Sequence, residues 1–212
     1  LTNGAGINAI PIAEYVVMAI LNIAKGYREV MRAAERQEWL TDAPGKIELP
    51  GTRALIIGGG AIGSLTAERL TPFGVSVSTV RRNPGPGELG PNDWRGQLGQ
   101  FDWVILTVPA TPETEGMIGA DELAAMKPTA CLLNFARGTV VDQDALVLAL
   151  QQRRIGSAFL DVTEPEPLPP GHPLWTMNNA HVSMHLSGRS QMTMFIRSAE
   201  RFLDNLGRWQ RG

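Results

Sequence analysis

The chain has 212 residues, of which 43% are AVILMFWYC before its 23 glycines are counted, so most of it must bury a core and disorder is excluded. Lys plus Arg total 19 against 21 Asp plus Glu, a formal charge of -2, and no overall electrostatic pull toward nucleic acid or an anionic membrane follows. Neither is expected as a partner. Cys131 is the single cysteine and lies in the apolar run 130–133, which excludes an internal disulfide and a thiolate metal cluster. A reducing, cytoplasmic setting is the default, and no metal site is expected.

The sequence opens in mid-motif at Leu1-Thr2-Asn3-Gly4, with no Met and no signal peptide, which suggests a fragment. From Ile10 to Arg36 the apolar positions Ile10, Ala13, Val17, Ile20, Leu21, Ala24 and Met31 recur near a helical period and predict one long amphipathic helix. Its apolar stretch Tyr15 to Ala24, interrupted by Asn22, is too short to span a bilayer. Pro44, Gly45, Pro50 and Gly51 punctuate a loop before a buried strand at 54–57. Ile62, Leu65, Leu70 and Phe73 mark a helix stopped by Gly74, and Val75, Val77 and Val80 alternate as a strand. Pro84 to Gly99, rich in Gly and Pro, reads as a mobile loop. Strands are expected at 103–108, 130–135, 157–162 and 182–184, with helices at 121–126, 142–152 and 191–206. Apolar strands alternating with helices imply an α/β fold, a doubly wound parallel sheet covered on both faces.

Three groups of residues carry chemistry. Gly58-Gly59-Gly60-Ala61-Ile62-Gly63 is GxGxxG between a strand and a helix, the context in which Gly58 makes a tight turn, Gly60 admits a pyrophosphate and Gly63 lets helix pack on strand. Arg81 and Arg82 stand where an acid would accept a hydrogen bond from a ribose 2′-OH, and no acid follows until Glu88. An arginine there suits a 2′-phosphate, so NADP is favoured as cofactor with NAD as the other candidate; a solvated arginine pair is the plain alternative. Arg137, Glu164 or Glu166, and His185 follow successive strands on the ligand-binding edge of such a sheet. The planar fork of Arg137 suits a carboxylate, unless it pairs with a nearby Asp or Glu.

Thr111-Pro112-Glu113-Thr114, Asn134 to Asp142, Leu160-Asp161-Val162 with Glu166-Pro167-Leu168-Pro169, and His185-Leu186-Ser187-Gly188, in this order after the glycine loop, resemble the signatures of the D-isomer-specific 2-hydroxyacid dehydrogenases. The resemblance implies that Arg137 binds a substrate carboxylate, His185 is the general acid or base, and Glu166, rather than Glu164, orients it. It implies that Asp161 bonds the nicotinamide carboxamide. It also implies a cofactor set that includes Ala61, Ile62, Val108, Pro109, Thr114, Ala136 and Ser187 beside the glycines and arginines. Met184 and Thr163 depart from the proline and the aromatic common at their positions.

A Rossmann-type nucleotide-binding domain at 41–187 would thus follow a linker and dimerisation helix at 1–40 and precede a helix at 188–212 returning to a flavodoxin-like substrate domain that this chain lacks. The expected reaction is hydride transfer between NAD(P)H and a small 2-keto or 2-hydroxy acid, in the reductase direction. A phosphoglycerate or formate dehydrogenase is a variant, and a dinucleotide-sensing corepressor-like protein is the alternative of a different class. A homodimer is expected through the helix at 10–36, whose apolar positions exceed what one face of a domain can cover.

Overall fold

The computed structural model describes residues 6–189 and 192–211. Six strands, β1 (Arg53–Ile57), β2 (Ser76–Val80), β3 (Trp103–Leu106), β4 (Cys131–Asn134), β5 (Ser157–Leu160) and β6 (Ala180–Val182), form one parallel sheet in the order β2-β1-β3-β4-β5-β6. Successive side chains on a strand point to opposite faces, and here each face has its own core. Leu55, Ile57, Val104, Leu106, Leu132 and Leu160 pack with Leu123 of α4 (Ala120–Ala125) and with Leu146 and Leu150 of α5 (Gln143–Gln151). Ala54, Ile56, Trp103, Ile105, Leu133 and Phe159 pack with Val16, Ala19 and Ile20 of α1 (Ala9–Lys25) and Leu70 of α3 (Ala61–Leu70). Both faces being covered is why these strands read as continuous apolar runs.

The connections run outward from β1 in one direction to β2 and in the other to β3 through β6. That reversal opens a crevice at the carboxyl ends of β1 and β3, where such sheets bind ligands. The helix expected over 10–36 is two helices, α1 and α2 (Tyr27–Glu35), bent by 70° at Gly26. Gly26 adopts φ 60°, and a Cβ there would lie 2.8 Å from the Gly45 nitrogen, so the loop at 44–47 wedges the break. Of the apolar positions that argued for a dimer face, Ala13, Ile20 and Ala24 are fully buried within the chain together with Val16 and Ala19, while Ile10, Val17 and Leu21 are half-buried. Met18, Tyr27, Val30 and Met31 remain outside.

The segment 84–99 is tied down, contrary to a mobile loop. Leu89 forms a parallel bridge to Val80, Trp94 and Leu98 are buried, and Arg95–Gln100 is a 3-10 turn. The last strand ends at Val182, two residues before its expected end, because Met184 and His185 take φ values of 56° and 55° that no strand accommodates. Of the expected helix at 191–206, Gln191 lies outside the described residues; α6 runs Met192–Arg211, with Phe195, Phe202, Leu203 and Trp209 exposed. Among the described residues no single helix is long and apolar enough to cross a membrane.

His181 on β6 stacks on Phe159, centroids 6.0 Å apart, and burial, followed by Arg28 and Arg32, pushes its pKa down to about 4. The folded state therefore resists a proton that the unfolded chain accepts near 6.5, so stability is full above that pH and declines as pH falls toward 4. Thermal melts from pH 7.5 to 4.5 should show a loss of about 1–3 kcal/mol that His181→Phe removes; an equal loss in the variant would assign it elsewhere.

Candidate active site

The glycine turn after β1 is built against β3. Gly58 has φ 116°, and a Cβ there would sit 2.7 Å from the Thr107 carbonyl carbon, so only glycine fits. Thr107 Oγ1 donates to the Gly58 carbonyl at 2.7 Å, which fixes the turn and ends β3. Gly63, in the first turn of α3, would drive a Cβ into the Gly58 carbonyl. Nothing lies within 4 Å of a Cβ placed on Gly60. The backbone at the N-terminus of α3 is thus open to a ligand, and its free N–H groups favour an anion.

Beside this turn a cavity of about 760 Å³ is lined by Gly58, Gly60, Arg81, Arg82, Val108, Pro109 and Thr114. The Thr114 hydroxyl is engaged within its loop, donating to the Pro109 carbonyl at 2.7 Å. Arg81 is not a free cation: its Nε donates to Glu88 Oε1 at 2.6 Å and its Nη2 to Ser64 Oγ at 2.8 Å. A smaller cavity of about 250 Å³ brings together Ile62, Ala136, Arg137, Asp161, His185 and Ser187. Ala61 and Gly63 line neither cavity; they form the first turn of α3.

Three strand ends deliver the polar groups of the second cavity. Arg137 follows β4, where buried Asn134 accepts from the Ala136 N–H at 3.0 Å and donates to the Arg137 carbonyl at 2.9 Å. The Arg137 side chain is exposed, and its recorded bond is to the Ala136 carbonyl; no Asp or Glu among the described residues pairs with it. Asp161 follows β5 and is 3% exposed. Its carboxylate accepts from Ser183 Oγ at 2.8 Å, the Leu186 N–H at 3.0 Å, the Ser187 N–H and the Ser187 hydroxyl. The carboxylate expected to meet a carboxamide is thus occupied with the turn that carries His185.

His185 follows β6, and its Nδ1 lies 2.8 Å from Glu166 Oε2. Glu166 is itself held by the Thr163 N–H on Oε1 at 3.2 Å. Glu164 makes no such pair with His185; its backbone N–H and carbonyl are held by the side-chain amide of Gln143. The dyad is about half exposed and borders a cavity of about 790 Å³ with Trp175, Leu168 and Arg189. A carboxylate on Nδ1 fixes the orientation of the ring and leaves Nε2 to face a ligand.

Residues 17–187 match the sequence profile described as D-isomer specific 2-hydroxyacid dehydrogenase, NAD binding domain. The chain belongs to this family. It is 34% identical over 208 residues to the glyoxylate reductase/hydroxypyruvate reductase of Homo sapiens, covering 92% of this chain and 63% of that protein. It is 34% identical over 221 aligned residues to the glyoxylate reductase of Korarchaeum cryptofilum (strain OPF8), covering 100% and 66%. The D-isomer specific 2-hydroxyacid dehydrogenase of Xanthobacter autotrophicus Py2, solved with NADPH and MES, superposes with a TM-score of 0.84 at 31% identity over 97% of this chain and 85% of that one. The NAD-dependent formate dehydrogenase of Staphylococcus aureus, solved with NAD, gives 0.81 at 31% identity over 97% and 63%. The chain spans less than two thirds of the length of the two curated relatives.

In this dehydrogenase family chain the residues present fit a nicotinamide dinucleotide, with Gly60 open at a helix N-terminus on the wall of the larger cavity. Sequence reasoning missed Glu88, Ser64, Thr107 and Ser183. Asp161→Asn exchanges an acceptor oxygen for an NH2 facing the donors of the turn. It should lower stability by about 2 kcal/mol, the scale of bonds to a charged group, and speed amide hydrogen exchange at Leu186 and Ser187. Unchanged exchange there would contradict the clamp.

Proposed function

We propose that the protein reduces a small 2-keto acid to the D-2-hydroxy acid with NADPH, NADH being the less favoured donor. The observation that carries this reading is the pair Glu166–His185 at 2.8 Å, standing with Arg137 on the ligand edge of a sheet whose glycine turn is open beside it. A bound nicotinamide supplies the hydride for the keto carbon. The remaining chemistry belongs to this chain.

Arg137 has a planar fork and no carboxylate partner among the described residues, so it is available to fix a substrate carboxylate and turn the keto group toward the donor. Negative charge then grows on the keto oxygen, and His185, protonated and turned by Glu166, gives up its Nε2 proton to that oxygen. In the reverse direction the same nitrogen takes the proton from the hydroxyl. Asp161 supports this through the backbone of residues 185–187. Arg81 and Arg82 at the far cavity support the preference for a 2′-phosphate, although Glu88 already draws on Arg81.

His185→Ala in the full-length protein should lower kcat by about 10²- to 10⁴-fold, the range for losing a positioned acid or base, while the NADPH Kd changes little. Equal losses in both would indicate a folding defect. Arg137→Lys should lower kcat/KM severely although the charge is kept, since an ammonium cannot present two parallel donors to a carboxylate. An unchanged kcat/KM for both variants across a panel of 2-keto acids would reject the assignment.

A further inference from the structure

β2 ends at Val80, is followed by Arg81-Arg82 and carries no acid, yet a carboxylate stands at its end all the same. The chain leaves β2, turns through 83–87 and comes back: Leu89 donates its N–H to Thr79 and accepts from Arg81, closing the bridge between Leu89 and Val80. Glu88 is thereby carried onto Arg81. Its Oε2 accepts from the Gly85 N–H at 2.8 Å and its Oε1 from Arg81 Nε at 2.6 Å, while Ser64, at the start of α3, takes Arg81 Nη2. The guanidinium lies across the glycine turn, since a Cβ on Gly59 would be 2.5 Å from Arg81 Cγ and Nε.

We propose that Glu88 is a specificity-determining residue for the dinucleotide: the acid missing from β2 returns eight residues after Val80 and restrains the grip of Arg81 on a ribose 2′-phosphate. This rests on the reading of the large cavity as the dinucleotide site. Guanidinium has five donors in a fixed fork. Glu88 and Ser64 together hold the Nε–Nη2 edge, the side on which an arginine takes an anion with two parallel bonds. A 2′-phosphate is left with the Nη1 end and meets a carboxylate beside it.

Glu88 is ionised at neutral pH, its carboxyl held below the ordinary range by the Gly85 N–H and then by Arg81. The pair is only partly buried, side chains 38% and 26% exposed, so the repulsion is screened and the restraint is moderate. Arg82 faces an acid more loosely. Glu113 on the opposite wall has its carboxyl lowered first by the Thr111 hydroxyl and its own N–H, with Arg82 a smaller contribution.

The test is direct titration of the full chain with NADPH and with NADH, followed by nicotinamide fluorescence, for wild type, Glu88→Gln, Glu113→Gln, Arg81→Ala and the double variant Glu88→Gln/Arg81→Ala. Glutamine keeps an acceptor for the Gly85 N–H, and melts of each variant check the fold. Glu88→Gln should tighten NADPH about three- to tenfold, leave NADH within about twofold and steepen the salt dependence of NADPH binding. Glu113→Gln should do less, and Glu88→Gln should have no further effect in the Arg81→Ala background. NADPH binding that is unchanged or weaker in Glu88→Gln, equal tightening of both cofactors, or the same gain without Arg81 would overturn the proposal. A wild-type preference for NADH with the Glu88→Gln gain intact would overturn the proposed NADPH preference and support the role of Glu88. No binding of either cofactor to wild type would overturn both.

Discussion

The carboxylate of Asp161 is the constraint on which the site hangs. It is buried, and it gathers Ser183, Leu186 and Ser187 around itself while the Asp161 carbonyl accepts from the His185 N–H. Those bonds hold Met184 and His185 in the left-handed region, at φ 56° and 55°. Each such residue costs roughly 1 kcal/mol or more, and bonds to a charged acceptor at roughly 1.5–3 kcal/mol each offset that. The turn that results throws the His185 ring back over the β5 loop and onto Glu166. It also accounts for Met184. A proline, the common residue at this position in the resembling family, is confined to φ near -65° and could not take this turn.

Everything else about the site is a matter of which strand ends where. A parallel sheet puts all its carboxyl ends on one edge, so residues as far apart as Arg137, Asp161 and His185 reach one cavity without any contact between them in sequence. The loops are then locked to each other by close backbone approach: a Cβ on Gly138 would collide with the Thr163 carbonyl, and Gly63 is equally shut by the Gly58 carbonyl. Rigid loops of this kind keep an acid, a cation and an anion-binding helix end in fixed relation, the arrangement a proton and hydride transfer requires.

Much of this was legible from residues alone. Short apolar runs separated by helical stripes announced the parallel sheet, because strands buried on both faces have nowhere to place polar residues. The glycine tasks were readable too, since each follows from sterics between strand and helix. The features not legible there share one cause, a contact that no local pattern of residues announces. Gly26 breaks the first helix because Gly45 packs against it, and propensity alone tolerates a glycine within a helix. Glu88 lies eight residues past the end of β2, and only the Leu89 bridge returns it there. The arginines therefore read as free when Arg81 is in fact paired. Glu166 was separable from Glu164 only by the family pattern, since both follow β5 and only the fold places the Glu166 carboxylate against His185.

On the proposed reading, this edge of the sheet holds a 2-keto acid for hydride transfer while the chain supplies the proton. The measurement is single turnover of the full-length protein with a 2-keto acid and NADPH carrying deuterium at both C4 positions, the product analysed by mass and by chiral chromatography. One deuterium at C2 of a D-2-hydroxy acid is expected. Bound cofactor that is never oxidised by any keto acid, or product with no deuterium at C2, would contradict it.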